Sequence, residues 1–98
     1  MSQKILPTIC PSCKGLLKVK RLTCTSCETS VEGLYDLPVL AQLSGEDQDF
    51  ILKLIKASGS LKEMASLYGI SYPTVRNRLD SLIEKIELIK NQIKKQEN

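Results

Sequence analysis

The fold is decided by residues 61–82, which read LKEMASLYGISYPTVRNRLDSL. Apolar residues at helical spacing predict a helix that ends near Tyr68. Gly69 predicts a sharp turn, because glycine accepts the positive φ that closes many helices. Ser71 is a candidate N-cap for a second helix, and Pro73 is tolerated in its first turn. The stretch therefore predicts two helices joined by a tight turn.

This arrangement is typical of the helix-turn-helix of DNA-binding domains, whose second helix enters the major groove. Ala65, Gly69 and Val75 stand at the spacing that the motif uses where its helices cross. A plain helical hairpin is the alternative. We favour the helix-turn-helix because the turn glycine, the Ser60 and Ser71 caps and the small residue at the crossing agree with one another.

The outward face of the second helix, residues 71–82, indicates what the motif reads. Arginine bonds guanine through two donors and asparagine bonds adenine, so Arg76 and Asn77 are the candidates for base contact. The other candidate DNA-binding residues, suited to phosphate contact or lying on the same exposed arc, are Ser71, Tyr72, Thr74 and Arg78. Asp80 and Glu84 on the same side disfavour deep insertion further along the helix. A merely solvated face is the alternative for each of these residues.

Four cysteines, CPSC at 10–13 and CTSC at 24–27, form the strongest chemical signal in the chain. Two residues between cysteines let both thiolates face one ion, while the intervening N–H groups bond to sulfur. Residues 16–22 and 31–35 have the alternation of short strands, which completes a zinc ribbon. The predicted ligands of one structural zinc ion are Cys10, Cys13, Cys24 and Cys27.

The residues that follow the two cysteine pairs differ. Zinc is also not the only role that four thiols can have. Gly15 suits the turn after the first pair, whereas Glu28 and Thr29 follow the second, so we expect that turn to be looser. Disulfides fit a cytosolic chain poorly. Iron held by four thiolates would make an electron carrier, which visible colour would distinguish from zinc. In a redox sensor, basic residues near the thiolates, Lys14, Lys20 and Arg21, would raise their reactivity.

The rest of the chain supplies the other parts of a two-domain protein. We interpret residues 1–36 as the zinc ribbon, residues 37–45 as an apolar connecting segment with a short helical turn, and residues 46–98 as the helix-turn-helix domain. Ser44 caps the supporting first helix of that domain, and Phe50 is its core aromatic. The fold class is α+β: a small four-cysteine zinc ribbon of antiparallel strands, then an all-α trihelical domain with a long C-terminal helix.

Apolar residues continue beyond Leu82 at intervals of four and three, past what we expect a three-helix core to cover. The repeat predicts a coiled-coil homodimer whose seam residues are Leu82, Ile86, Ile89 and Ile93. Two-fold pairing would present two recognition helices to a palindromic site. Basic residues flank this seam at Lys85 and Lys90, so charge favours neither orientation. The alternative is a tail folded back on the ribbon or on residues 37–43.

Composition limits the possible functions. The chain has 98 residues and a formal charge of +3 at pH 7, which is too mild to indicate nucleic acid without the motif. No run has the length and apolarity of a membrane span, and the first eleven residues lack the core of a secretion signal, so we expect a cytoplasmic protein. No histidine is present, which removes the commonest general base, so we do not expect an enzyme.

The chain as a whole resembles a family of small prokaryotic proteins of unknown function with an N-terminal zinc ribbon and a C-terminal helix-turn-helix. The resemblance covers nearly the full length and is carried by CPSC, CTSC, the Leu37-Pro38 segment and GSLKEMASLYGISYPTVRNRLDSL. It implies a metal site at the four cysteines and a recognition element at residues 71–79. We therefore predict a DNA-binding transcriptional regulator with a structural zinc site. The alternative is an adaptor that binds another protein, for example a component of the transcription machinery.

Overall fold

The computed structural model describes residues 6–96, with side chains as far as residue 92. The chain divides into two units, Met1–Gln42 and Leu43–Asn98. The first unit holds two strands and the second holds three α-helices. The predicted α+β class is confirmed, with the ribbon first and the long helix last. Because Leu43 packs in the helical core, the second unit begins inside the predicted connecting segment.

The first unit is a pair of small hairpins. Strands β1 (Val19–Thr23) and β2 (Ser30–Tyr35) pair antiparallel, with Leu22 opposite Val31 and an irregularity between Val19 and Arg21. The strand predicted over 16–22 starts three residues late, because Leu16 forms an isolated bridge back to Ile9. Each hairpin therefore carries one cysteine pair at its turn.

The first unit has almost no apolar core. Between residues 6 and 42, only Leu37 is buried, and both strands are exposed along nearly their whole length. A short 3-10 helix at Leu40–Gln42 confirms the predicted helical turn, and the Gln42 side-chain amide donates to the Leu37 carbonyl at 2.8 Å. So little buried apolar surface does not stabilise a fold of this size, which is the usual reason that such modules need a metal.

The second unit is a trihelical bundle of α1 (Gly45–Lys56), α2 (Leu61–Tyr68) and α3 (Tyr72–Gln96). The two predicted caps are confirmed, because Ser44 Oγ accepts the Asp47 N–H and Ser60 Oγ accepts the Glu63 N–H, each at 3.2 Å. Phe50 is fully buried, as predicted for the core aromatic. The buried core is made of Leu43, Phe50, Leu61, Met64, Val75 and Leu82.

Candidate nucleic-acid interface and metal site

The first cysteine pair sits in a tight turn that directs backbone N–H groups at sulfur. The Ser12 N–H donates to Cys10 Sγ at 3.4 Å, and the Lys14 N–H donates to the Cys10 carbonyl at 3.0 Å. Lys14 has a φ of 65°, in the left-handed region, and the Cys10 N–H donates to the Gly15 carbonyl at 2.8 Å. The turn therefore closes around the pair without a left-handed glycine.

The second cysteine pair repeats this geometry. The Ser26 N–H donates to Cys24 Sγ at 3.4 Å, and the Glu28 N–H donates to the Cys24 carbonyl at 3.0 Å. Glu28 has the same φ of 65°, and the Cys24 N–H donates to the Thr29 carbonyl at 2.7 Å. The expectation of a looser second turn is wrong, because Lys14 and Glu28, rather than Gly15, take the left-handed conformation.

One contact distinguishes the two pairs. Thr29 Oγ1 lies 3.0 Å from Cys27 Sγ. The equivalent position in the first pair is Gly15, where an added Cβ would lie only 3.3 Å from Cys13 Sγ. Cys27 therefore has a hydroxyl beside its sulfur, whereas Cys13 lies beside a glycine that has no side chain. From the sequence, Thr29 was identified only as a departure from glycine, and its contact with Cys27 was not predicted.

Hydrogen bonds within each pair lower the pKa of its first thiol. The backbone donors, with the larger effect first, are Cys13 and Ser12 for the pKa of Cys10, and Cys27 and Ser26 for the pKa of Cys24. A thiol whose deprotonated form is stabilised by N–H donors is a better ligand for a soft cation, because the thiolate is the species that binds metal. Each hairpin therefore has one cysteine, Cys10 or Cys24, whose thiolate is stabilised by backbone N–H groups.

The structure brings the predicted ligands together as two pairs, Cys10 with Cys13 and Cys24 with Cys27. Over the described range 6–96, no three cysteine, aspartate or glutamate side chains lie close enough to hold one ion. All four thiols are free. The donor set fits zinc, because two C-x2-C turns with N–H groups directed at sulfur supply thiolate ligands and their outer hydrogen bonds. The single ion shared by all four sulfurs stays a prediction.

The turn between α2 and α3 has the geometry that the sequence predicted. Gly69 lies in the left-handed region with φ 66° and ψ 32°. Its N–H donates to the Ser66 carbonyl at 3.3 Å, and the Ile70 N–H donates to the Ala65 carbonyl at 3.1 Å. These two bonds define a Schellman ending, which satisfies the last carbonyls of α2 while reversing the chain.

The first turn of α3 is held by its own hydroxyls. Ser71 Oγ accepts the Thr74 N–H at 3.3 Å and lies 2.7 Å from Thr74 Oγ1. The predicted N-cap is therefore confirmed. Both hydroxyls remain exposed at the start of the helix, beside Tyr72. Helix N-termini favour anions such as phosphate, because their free N–H groups and the helix dipole point outward.

The two predicted base-reading residues lie on the exposed face of α3. Arg76 and Asn77 are both exposed, one turn beyond the helix start. Arg76 Nε lies 3.5 Å from Asp80 Oδ1, one turn further along. This face therefore combines a cation, an amide and a carboxylate within two helical turns.

Arg78 differs from the other candidate contacts because it is half-buried. Its Cζ lies 4.8 Å from the centre of the Phe50 ring and 5.6 Å from that of Tyr68, and those rings are stacked 6.0 Å apart. The guanidinium is therefore in cation–π range of both rings. This packing was not predicted, although Arg78 stands three residues after Val75 and four before Leu82, on the core side of the helix.

An ion pair missed by the sequence analysis joins α1 to α3. Lys85 Nζ lies 2.9 Å from Asp47 Oδ2, and the Asp47 side chain is only 12% exposed. Lys85 was expected to flank a dimer seam. It instead partners a carboxylate of its own chain, and no local sequence pattern links residues 38 positions apart.

The core of the helical unit includes part of the predicted dimer seam. Leu82 is 3% exposed, and Ile86 and Ile89 pack against the same core. Ile93 lies outside the residues whose side chains the structure describes. Because Ile86 and Ile89 are only partly buried, the core covers part of the repeat beyond Leu82, and the dimer seam stays a prediction. Leu43, ahead of α1, belongs to the same core.

The two units are a two-hairpin ribbon with paired cysteines and a helix-turn-helix whose second helix has an exposed polar face. Residues 10–41 match the family model described as the DUF2089 zinc ribbon, and residues 43–89 match the one described as the helix-turn-helix of the same domain of unknown function. The chain belongs to this family, as the resemblance predicted. No curated protein and no solved structure matches it significantly. Over the described range, none of its helices combines the length and apolarity needed to cross a membrane.

Proposed function

We propose that this protein is a DNA-binding transcriptional regulator of the cytoplasm, in which the zinc ribbon is structural and α3 reads duplex DNA. A zinc ribbon with a helix-turn-helix domain indicates nucleic-acid binding in general, and the finer role is our proposal. Its chain has no histidine, and we assign it no catalytic activity. Zinc held by four thiolates in this context supplies folding free energy rather than chemistry.

The observation that carries the proposal is the exposed start of α3. The Schellman turn at Gly69 and the buried Val75 fix the helix against α2, so its opposite face is free. That face presents Arg76 and Asn77, whose side chains match guanine and adenine in the major groove. Ser71 and Thr74 stand at the helix start, where phosphate contacts set the register. Arg78, held over Phe50, supports the helix from the core side.

The test is duplex binding by the zinc-loaded full chain. Fragmented genomic DNA is incubated with wild-type protein at about 50 mM and about 200 mM salt, and the bound fragments are sequenced. The test variant is Arg76→Ala/Asn77→Ala. The matched control is Lys90→Ala/Asn91→Ala, which removes the same charge and the same amide from exposed positions on the same helix, two heptads away.

Sequence-selective enrichment that weakens with salt, is lost in Arg76→Ala/Asn77→Ala and persists in Lys90→Ala/Asn91→Ala supports the proposal. Equal loss in both variants would indicate a general charge effect without a recognition helix. Absence of enrichment even at the lower salt would refute DNA binding.

We also propose that the regulator acts as a homodimer through α3, since two recognition helices would then read a palindromic site. Ile83 and Leu88 are large apolar residues of α3 that stay exposed. Light scattering on the zinc-loaded protein measures this directly: a mass of one chain across micromolar concentrations would refute the dimer.

An adaptor that binds another protein is the second candidate, and a specific surface favours it. Leu52 and Ile55 on α1 and Leu67 on α2 are each more than 60% exposed. Leu67 also lines an open groove of about 240 Å³ whose other lining residues are Lys53, Lys56, Ala57, Glu63 and Met64. Contiguous exposed apolar patches mark protein interfaces, and Leu67 at this groove is the candidate contact for a protein partner. An apolar interface weakens little with salt, whereas a phosphate interface weakens steeply, so the salt series separates the two functions.

A further inference from the structure

We propose that Asp80 positions Arg76 so that the protein reads a guanine in the major groove. This inference rests on the proposed DNA-binding function. It assigns the Asp80 carboxylate, which first appeared only to oppose deep insertion, a part in specificity.

The contact between the two side chains involves one particular nitrogen. Arg76 Nε lies 3.5 Å from Asp80 Oδ1, and the two side chains are 55% and 53% exposed. The contact uses Nε rather than the terminal nitrogens Nη1 and Nη2. The edge formed by these two nitrogens is the one that can donate in parallel to guanine O6 and N7. A carboxylate at Nε therefore restrains the guanidinium while leaving its base-reading edge free.

Helix stability does not account for this pair. Exposed ion pairs contribute little to stability, and an acid that follows its base by four residues is the less favourable order on a helix. The arginine also lies in the second turn from the N-terminus of α3, where the helix dipole does not favour a cation. In contrast, positioning is valuable for recognition, because an arginine that is already oriented loses less conformational entropy when it binds a base.

The charge of the carboxylate also lowers the affinity for duplex DNA of any sequence. Asp80 lies on the same exposed face as Arg76, so its charge approaches the phosphates when α3 enters the groove. That repulsion acts on every duplex alike, so it lowers affinity without changing the preference for one base. Specificity is a difference between two affinities, and here the difference comes from the two bonds that the oriented Arg76 forms with guanine.

The test is selection from a randomised duplex library with the zinc-loaded full chain. The variants are Asp80→Asn, which removes the charge and keeps the shape, and Arg76→Lys, which keeps the charge and loses the two-donor fork. Glu84→Gln is the matched control, because it removes an exposed carboxylate one turn beyond Asp80. Far-ultraviolet circular dichroism confirms that each variant is folded before selection.

We expect a guanine at one position of the selected site with wild type and with Glu84→Gln. Arg76→Lys loses that preference, and Asp80→Asn reduces it about tenfold, which is within the range for one bidentate contact. Binding to unselected duplex rises in both carboxylate variants, since each removes one negative charge. An undiminished guanine preference in Asp80→Asn, or equal loss in Asp80→Asn and Glu84→Gln, overturns the inference.

The two proposals fail in different ways. If the wild type selects sequences and Arg76→Ala/Asn77→Ala abolishes selection, but no guanine depends on Arg76, DNA binding stands and this inference is refuted. If the wild type binds no duplex at all, the proposed function is refuted and this inference with it.

Discussion

Gly69 sets the angle at which α3 leaves α2, and replacing it with alanine tests that role quantitatively. No atom beyond its chain neighbours lies within 4 Å of a Cβ placed at Gly69, so Gly69→Ala introduces no clash. The cost is then the left-handed φ of 66°, about 1–2 kcal/mol for an L-residue. Alanine recovers about 0.4–1 kcal/mol of that through the unfolded chain. We expect a net destabilisation of about 1 kcal/mol.

Gly45 provides the matched control for this prediction. It is the first residue of α1, it also has no atom within 4 Å of an added Cβ, and its φ is not positive. Gly45→Ala should leave the stability unchanged or raise it slightly. Asparagine tolerates the left-handed region, so Gly69→Asn should lose less stability than Gly69→Ala.

Urea unfolding of the zinc-loaded chain, followed by circular dichroism at 222 nm, measures all three variants. With m near about 1 kcal/mol/M, Gly69→Ala should lower the midpoint by about 1 M at unchanged m. Neither alanine clashes with a neighbour, so the two variants differ only in the backbone conformation of the replaced glycine. Equal urea midpoints for Gly69→Ala and Gly45→Ala would therefore refute the cost assigned to the left-handed φ.

Three further predictions concern the ion pair and the cysteines. Lys85→Met leaves the largely buried Asp47 carboxylate without its cation, so it should destabilise the helical unit by about 1–2 kcal/mol in the same assay. The control is Lys90→Met, which removes a cation beside the exposed Glu87 and should cost under about 0.5 kcal/mol. Similar costs would refute a structural role for the Asp47 pair. Thr29→Val removes the hydroxyl 3.0 Å from Cys27 Sγ and should lower the zinc affinity about tenfold in a chelator competition. An unchanged zinc affinity would contradict a role for that contact. EDTA should unfold residues 6–42, which have almost no core, and leave the helical signal intact; helical loss equal to full denaturation would contradict this.

The features that could be predicted from sequence are those determined by local chemistry. The caps at Ser44, Ser60 and Ser71 and the turn at Gly69 depend on residues within one helical turn, and the structure confirms all four. Helical periodicity similarly identified Phe50 as the core aromatic. Such patterns are informative because the hydrogen bonds that they describe form within the segment itself.

The features that were missed depend on partners elsewhere in the fold. Arg78 carries the same charge as an exposed DNA contact, and only its position on the core side of α3 indicates that it packs on Phe50. The partnership of Lys85 with Asp47 requires the packing of α3 against α1, which no local pattern contains. The equal turns at the two cysteine pairs were missed for a different reason, because Lys14 and Glu28 take a conformation usually assigned to glycine.

The same helix supplies the proposed reading surface and part of the core, and this limits how a dimer can form. Leu82 is already buried within its own chain, so pairing through it would gain little apolar burial unless the core opened. Opening the core would also separate Lys85 from Asp47 and release the hold on α3 that keeps Arg76 and Asn77 on the outside. A homodimer that preserves the proposed recognition face therefore has to use side chains outside this core, and Ile83 and Leu88 are exposed apolar residues in the described part of α3 that could serve.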